Sequence, residues 1–181
     1  MPHVILGPTL ETERLILRPP AAEDYESWWA MMQNNDVAHF IGGQSRYIVW
    51  RLFSAMAGSW ALNGFAQFSV IEKSSGAWIG RVGPWEPAGW PGAEVAYTLA
   101  RPYWGKGYAT EAATTSINWA FDHLGWTNVI HCIDPANINS QKVAQRLGSR
   151  LLKRDVPLPP DETLGEIWGQ SREEWRTRAK T

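Results

Sequence analysis

The feature that most constrains this chain is a change of hydrophobic period near its middle. Ala93, Val95, Tyr97 and Leu99 alternate with Glu94, Ala96 and Thr98, the period of two that belongs to a strand. From Gly107 the spacing turns helical. Ala113, Ile117, Ala120, Phe121 and Leu124 share one face, Glu111, Thr115, Asn118 and Asp122 share the other, and Gly125 supplies a C-terminal stop. Asn128-Val-Ile-His-Cys-Ile133 then reads as a second, largely buried strand. A strand, a helix and a strand returning to one sheet make a right-handed crossover, so these two strands run parallel.

Strands and helices alternate on either side of this unit. Leu15 and Leu17 alternate with Arg14, Ile16 and Arg18 in a first strand ended by Pro19-Pro20. Tyr25, Trp28, Trp29 and Met32 lie at i, i+3, i+4 and i+7, which predicts a helix over 22–32. A second helix follows Ser45 as N-cap, with Val49, Leu52, Phe53, Met56 and Trp60 on its stripe. Residues 65–72 and 77–83 read as a hairpin around Lys73-Ser74-Ser75-Gly76, followed by a Pro, Gly and Trp loop over 84–92. A short helix over 140–147 ends at Gly148, strands near 150–156 and 164–169 form a closing hairpin, and Ser171 with Glu174 makes a capping box for a last helix. The expected fold is α/β: one domain over 1–181, with a mixed, mostly antiparallel seven-stranded sheet, helices on both faces, and the fourth and fifth strands parallel and splayed.

Composition narrows the partners. A length of 181 residues supports one core without disulfides, and the single Cys132 permits none within the chain. Seventeen Lys and Arg against eighteen Asp and Glu leave a net charge of −1, which lacks the electrostatic footprint of a nucleic-acid binder. Arg172, Arg176, Arg178 and Lys180 collect at the C-terminus, as on a solvated helix face. No run of eighteen apolar residues and no secretory leader is visible, so no membrane partner is expected and the expected location is cytoplasmic. The twelve Trp have no fixed period, which argues against a repeat fold. Packing explains most of them unless several share one exposed face.

The strongest chemical signal is Arg101-Pro-Tyr-Trp-Gly-Lys-Gly-Tyr-Ala-Thr-Glu-Ala112, where the strand turns into the long helix. Two glycines let a ligand approach the backbone, and the first free amides of the helix point at it with the positive end of the dipole behind them. This suits a pyrophosphate; a tight turn with glycines at positive φ is the alternative. A Walker loop is excluded, because Gly107 follows Lys106 where Ser or Thr is needed, and a dinucleotide fingerprint is excluded by Thr110 at the third Gly position. His3, His39, His123 and His131 are too dispersed for a metal site. His131 and Cys132, adjacent on one strand, face opposite ways and make no nucleophile pair.

With these motifs the sequence resembles the GNAT superfamily of N-acetyltransferases, in particular the RimJ/RimL-like branch that acetylates ribosomal proteins. The resemblance runs through Glu13-Arg-Leu-Ile-Leu-Arg18, Glu94-Val-Ala-Tyr97, the Trp104–Ala112 block, Asp134-Pro-Ala-Asn-Ile-Asn-Ser140, Arg146-Leu-Gly148 and Ser171-Arg-Glu-Glu-Trp175. Two positions depart from it. Pro102 replaces the usual Gln or Arg three residues before the first loop glycine, and Ser149 stands where an aromatic commonly follows Leu-Gly.

The resemblance implies acetyl-CoA between the two parallel strands, its pyrophosphate on the amides of Trp104, Gly105, Lys106, Gly107, Tyr108 and Ala109, with pantetheine beside Tyr97 and Leu99. At ~3.3 Å per residue, five residues back from Leu99 covers about 17 Å and brings the thioester to Glu94. Glu94 is then a candidate general base, or else an ordinary solvated strand residue. The base matters most for a lysine-like amine, about 0.04% neutral at pH 7, against about 14% for a protein N-terminus. Ser140 shares a stripe with Val143, Ala144 and Leu147 and is matched to the acid that protonates the CoA thiolate, or else it caps the helix. Asn137 is matched to pantetheine and Arg146 to the adenosine 3′-phosphate, the alternative for Arg146 being an exposed surface residue. No metal and no covalent acyl-enzyme are expected. The amine acceptor is a protein N-terminus or a small molecule, with Trp85 and Trp90 on its side of the site; a homodimer stays open. A non-catalytic acyl-CoA-binding regulator and an aromatic carbohydrate-binding module are the competing readings.

Overall fold

The segments with a period of two all join one mixed sheet. The computed structural model describes residues 7–41 and 45–178; His3 and Lys180 lie outside them. Its strands are β1 (Leu10–Glu11), β2 (Leu15–Arg18), β3 (Phe68–Glu72), β4 (Trp78–Trp85), β5 (Glu94–Leu99), β6 (Asn128–Ile133), β7 (Arg150–Leu158) and β8 (Thr163–Ser171), in the order β1-β2-β3-β4-β5-β6-β8-β7. Every neighbouring pair is antiparallel except β5 and β6, as the crossover requires. Seven strands were expected. The eighth, β1, is two residues long and too short to show a period.

The helices are α1 (Tyr25–Gln33), α2 (Asn35–Ile41), α3 (Arg46–Asn63), α4 (Tyr108–His123), α5 (Ile138–Arg146) and α6 (Arg172–Arg178). Three of them follow the first strands instead of the two expected, because α2 is a separate short helix. Ser45 caps α3 by accepting from Ile48 N–H, and Gly64 ends it in the left-handed region at φ 75°. Leu52 leaves the predicted stripe: it is 45% exposed, while Val49, Phe53, Met56 and Trp60 are buried. The capping box of α6 forms in full, with Ser171 N–H on Glu174 Oε2 at 2.7 Å and Glu174 N–H on Ser171 Oγ at 3.1 Å.

Helices cover both faces of the sheet. Phe68 pairs with Val82, so Phe68 and the adjacent Arg81 project to opposite sides. The Trp119 ring of α4 meets Phe68 edge-on at 5.5 Å, whereas the Trp28 ring of α1 stacks on Trp78 and lies 4.9 Å from the Arg81 guanidinium. The tryptophans are therefore core and rim. Of the twelve, all among the described residues, only Trp50 is exposed, at 47%, so the tryptophans share no exposed face of the kind the carbohydrate-binding reading needs.

The polar side of the core is organised around Asp24. Its carboxylate, 2% exposed, takes Arg18 in a two-pronged pair at 2.8 Å, the Ser69 hydroxyl at 2.6 Å and the Ala21 N–H at 2.9 Å. It thus ties the start of α1 to β2 and β3. Removing one partner of a buried ion pair leaves the other without compensation. Asp24→Ala is expected to cost about 3–5 kcal/mol of unfolding free energy in urea titrations, against less than about 1 kcal/mol for Glu26→Ala, whose ion pair with Arg46 is exposed.

Candidate active site

The turn from β5 into α4 is built for close approach to its backbone. Gly105 and Gly107 sit at φ 75° and 83°, in the left-handed region, and α4 begins directly after Gly107. A Cβ at Gly105 would meet open space, and one at Gly107 only the Arg14 guanidinium at 3.4 Å, so backbone conformation rather than crowding selects glycine here. As N-cap residue Gly107 has no side chain to cap with. The N–H groups of Tyr108, Ala109 and Thr110 thus lack a capping side chain, and these residues line a cavity of about 1080 Å³.

Arg14 of the N-terminal segment braces this turn. It donates to the Lys106 carbonyl at 3.0 Å and to Glu111 Oε2 at 2.7 Å, and its guanidinium lies 4.4 Å from the centre of the Tyr108 ring. Partial burial would raise the Glu111 carboxyl, but bonds from Thr12 and Arg14 outweigh it and hold it below the ordinary range.

The cavity runs from this turn along β5 to the first turn of α5. Tyr97, Leu99, Trp104, Gly105, Gly107, Tyr108, Ala109, Asn137, Ser140 and Arg146 line it together. The Tyr97 hydroxyl donates to the Ser140 carbonyl at 2.9 Å, and the Trp104 indole to the Leu99 carbonyl at 2.7 Å. Asn137, not Ser140, caps α5: its Oδ1 accepts from Ser140 N–H at 3.0 Å, and the helix starts two residues earlier than the predicted boundary. Ser140 lines the cavity, and no protein partner bonds its Oγ among the described residues. Arg146 is exposed and also lines the cavity.

Lys106 and Glu94 do not line it. The Lys106 ammonium lies 5.2 Å from the centre of the Tyr103 ring. Glu94 is only 4% exposed, which removes its alternative as a solvated strand residue. Its carboxylate sits at the fork between the parallel strands, accepting from Cys132 N–H at 2.9 Å and from the Trp90 indole at 2.7 Å. Burial pushes the carboxyl up to about 7, against the opposing pull of those two donors and of the Arg81 charge. Cys132 remains a thiol, its acidity suppressed by burial and by Glu94.

Sequence reasoning missed the wall supplied by α2, where Val37, Phe40 and Ile41 line the cavity and Asp36 pairs with Arg101 at 2.7 Å. The signal was present as Asn34 followed by apolar residues at i, i+3 and i+4; Asn34 Oδ1 accepts from Asp36 N–H. Thr114 and Thr115 on α4 and Asn139 and Lys142 on α5 complete the polar lining.

An uncapped helix N-terminus behind two left-handed glycines thus opens on a forked parallel pair. The sequence of residues 14–150 matches the family described as Acetyltransferase (GNAT) domain, and the chain belongs to that family. It is therefore an acetyltransferase of the class that uses acetyl-CoA and an amine. It is 30% identical over 148 residues to the uncharacterized N-acetyltransferase p20 of Bacillus licheniformis, covering 77% of this chain and 80% of that protein. The crystal structure of an acetyltransferase from Agrobacterium tumefaciens str. C58 is similar with a TM-score of 0.81 and 28% identity, over 91% of this chain and 95% of that one. RimJ of Mycobacterium smegmatis, in complex with CoA-disulfide, shares the fold with a TM-score of 0.71 and 18% identity, over 88% and 83% of the two chains.

Ligand linkage gives a direct check. Acetyl-CoA and CoA at a hundredfold excess over their Kd are expected to stabilise the protein by about 2.7 kcal/mol. In thermal-shift measurements Gly107→Val should melt lower, from its left-handed φ, and lose the response to both ligands, while ATP and NAD shift the wild-type protein weakly.

Proposed function

We propose that the chain transfers the acetyl group of acetyl-CoA to a primary amine by direct attack in a ternary complex, with Glu94 as general base and Ser140 as general acid. The observation that carries this is a single cavity that joins the glycine turn to the mouth of the strand fork. Coenzyme A fits it: the amides of Gly105, Gly107, Tyr108 and Ala109 take the pyrophosphate, the Asn137 amide nitrogen is free for pantetheine, and Arg146 is free for the 3′-phosphate. Lys106 lies outside the cavity lining and takes no part in this arrangement.

The amine nitrogen attacks the thioester carbonyl and loses a proton toward Glu94. Because Glu94 is buried and already accepts from Cys132 and Trp90, the proton passes through a water instead of directly. The C–S bond then breaks, and the CoA sulfur takes a proton from the Ser140 hydroxyl, which is reprotonated from solvent in the same step while Glu94 later returns its proton to solvent; Ser140 lines the cavity. The acceptor is a protein N-terminus or a small amine that enters past Trp85 and Trp90, and a cytoplasmic location goes with this chemistry.

A base near neutrality fixes the sign of the pH dependence. Glu94 works as the carboxylate, so kcat/KM should fall as pH drops through about 7. Glu94→Gln should lose about 10²–10⁴-fold in rate at neutral pH and lose that acid limb, with acetyl-CoA affinity unchanged. Profiles taken with acceptors of different amine pKa separate the two titrations: the Glu94 limb stays in place and the amine limb moves.

Ser140→Ala should cost about tenfold to a hundredfold in turnover, less than Glu94→Gln, since a water can replace the hydroxyl. Asn137 holds the cap, so unfolding free energy should stay within about 0.5 kcal/mol of wild type. A full rate in a normally stable Ser140→Ala protein would leave solvent as the acid.

A further inference from the structure

The ladder between β5 and β6 ends early, and two side chains take over its bonds. Ile130 N–H donates to the Ala93 carbonyl at 2.9 Å, and regular pairing ends with Glu94 opposite Ile130. The next bond of a parallel ladder would join Cys132 N–H to the Val95 carbonyl. Instead the Val95 carbonyl is 2.7 Å from His131 Nδ1, and Cys132 N–H donates to Glu94 Oε1.

The protons along this chain have one consistent arrangement. A carbonyl oxygen only accepts, so His131 Nδ1 carries the hydrogen. Burial keeps the ring neutral by pulling its pKa down to about 4, so Nε2 is an acceptor. It accepts from the Ser149 hydroxyl at 3.1 Å, and Ser149 in turn accepts from Gln170 Nε2 at 3.0 Å. The ring, 1% exposed, is thus fixed in one tautomer and orientation from the residue before β7 and from β8.

We propose that His131 is a positioning residue: by occupying the Val95 carbonyl it diverts the Cys132 N–H to Glu94 and so fixes that carboxylate at the fork. The catalytic meaning of this rests on Glu94 as the base, whereas the structural claim does not. A side chain at 131 without a donor frees the Val95 carbonyl to recapture Cys132 N–H, and Glu94 then loses one of the two bonds that favour its charged form. The other groups facing Glu94 are Arg81 from β4, the Cys132 thiol, the Tyr97 phenol and the Trp90 indole. The substitution leaves all of these groups in the chain, although it removes the imidazole that packs 5.5 Å from the Tyr97 ring, and it removes no charge, because His131 is uncharged near neutrality.

The test pairs His131→Leu, which has no donor, with His131→Asn, whose amide nitrogen falls where imidazole Nδ1 does. In ¹⁵N-resolved NMR titrations the Cys132 amide should move with a midpoint near 7 in wild type and in His131→Asn, following Glu94. In His131→Leu the response should vanish, and the acid limb of kcat/KM should move up by about half a unit to one unit. An unchanged Cys132 titration in His131→Leu, or none in wild type, overturns the proposal. If His131→Leu does not fold, the imidazole ¹⁵N shifts of the wild type decide, because an Nε2–H tautomer overturns it equally. A limb of kcat/KM that survives in Glu94→Gln removes Glu94 as base and leaves the amide result on His131 standing.

Discussion

Buried backbone donors and acceptors must be paired, and the parallel contact of β5 with β6 pairs one residue on each strand before the strands part. The rest of the molecule follows from how that parting is accommodated. On the glycine-turn side the gap becomes the cavity, roofed by the first turns of α4 and α5. At its apex the orphaned groups are taken by Glu94 and by His131, with Ser149 and Gln170 behind the imidazole. Had the ladder continued, the strands would be closed to a ligand and Glu94 would have no reason to be buried.

The elements legible in the sequence were those with sustained periodicity or strong punctuation. β6 falls on its predicted boundaries, the capping box of α6 closes, and Gly107 begins α4 at the residue where the period changes. What escaped was short or decided by tertiary contact. α2 has seven residues, β1 two, and Leu52 sits on an outer face that its spacing alone assigns inward. At Ser140 the hydroxyl residue was legible, but the backbone conformation that hands the cap to Asn137 was not.

Glu94 shows the limit most clearly. Strand alternation assigns it to the face opposite Val95, Tyr97 and Leu99, yet its carboxylate lies close enough to the Tyr97 phenol to disfavour ionisation of that group. Alternation gives a face of the sheet, however, and says nothing about a side chain that turns sideways into a gap between strands. That turn depends on Cys132 N–H being available, which depends on a histidine distant in sequence and on Ser149, where an aromatic would have been expected. A larger side chain at 149 would occupy the place of the hydroxyl that orients the imidazole.

The brace made by Arg14 has an outcome of a different kind. β1 and β2 form the free edge of the sheet, two and four residues long, and exposed strand edges invite pairing with other chains. Arg14 bonds this edge to the Lys106 carbonyl within the glycine turn and to the carboxylate of Glu111, which lines the cavity. The short edge strands and the glycine turn are therefore held by one guanidinium rather than by two independent sets of contacts, so the two ends of this contact cannot loosen separately.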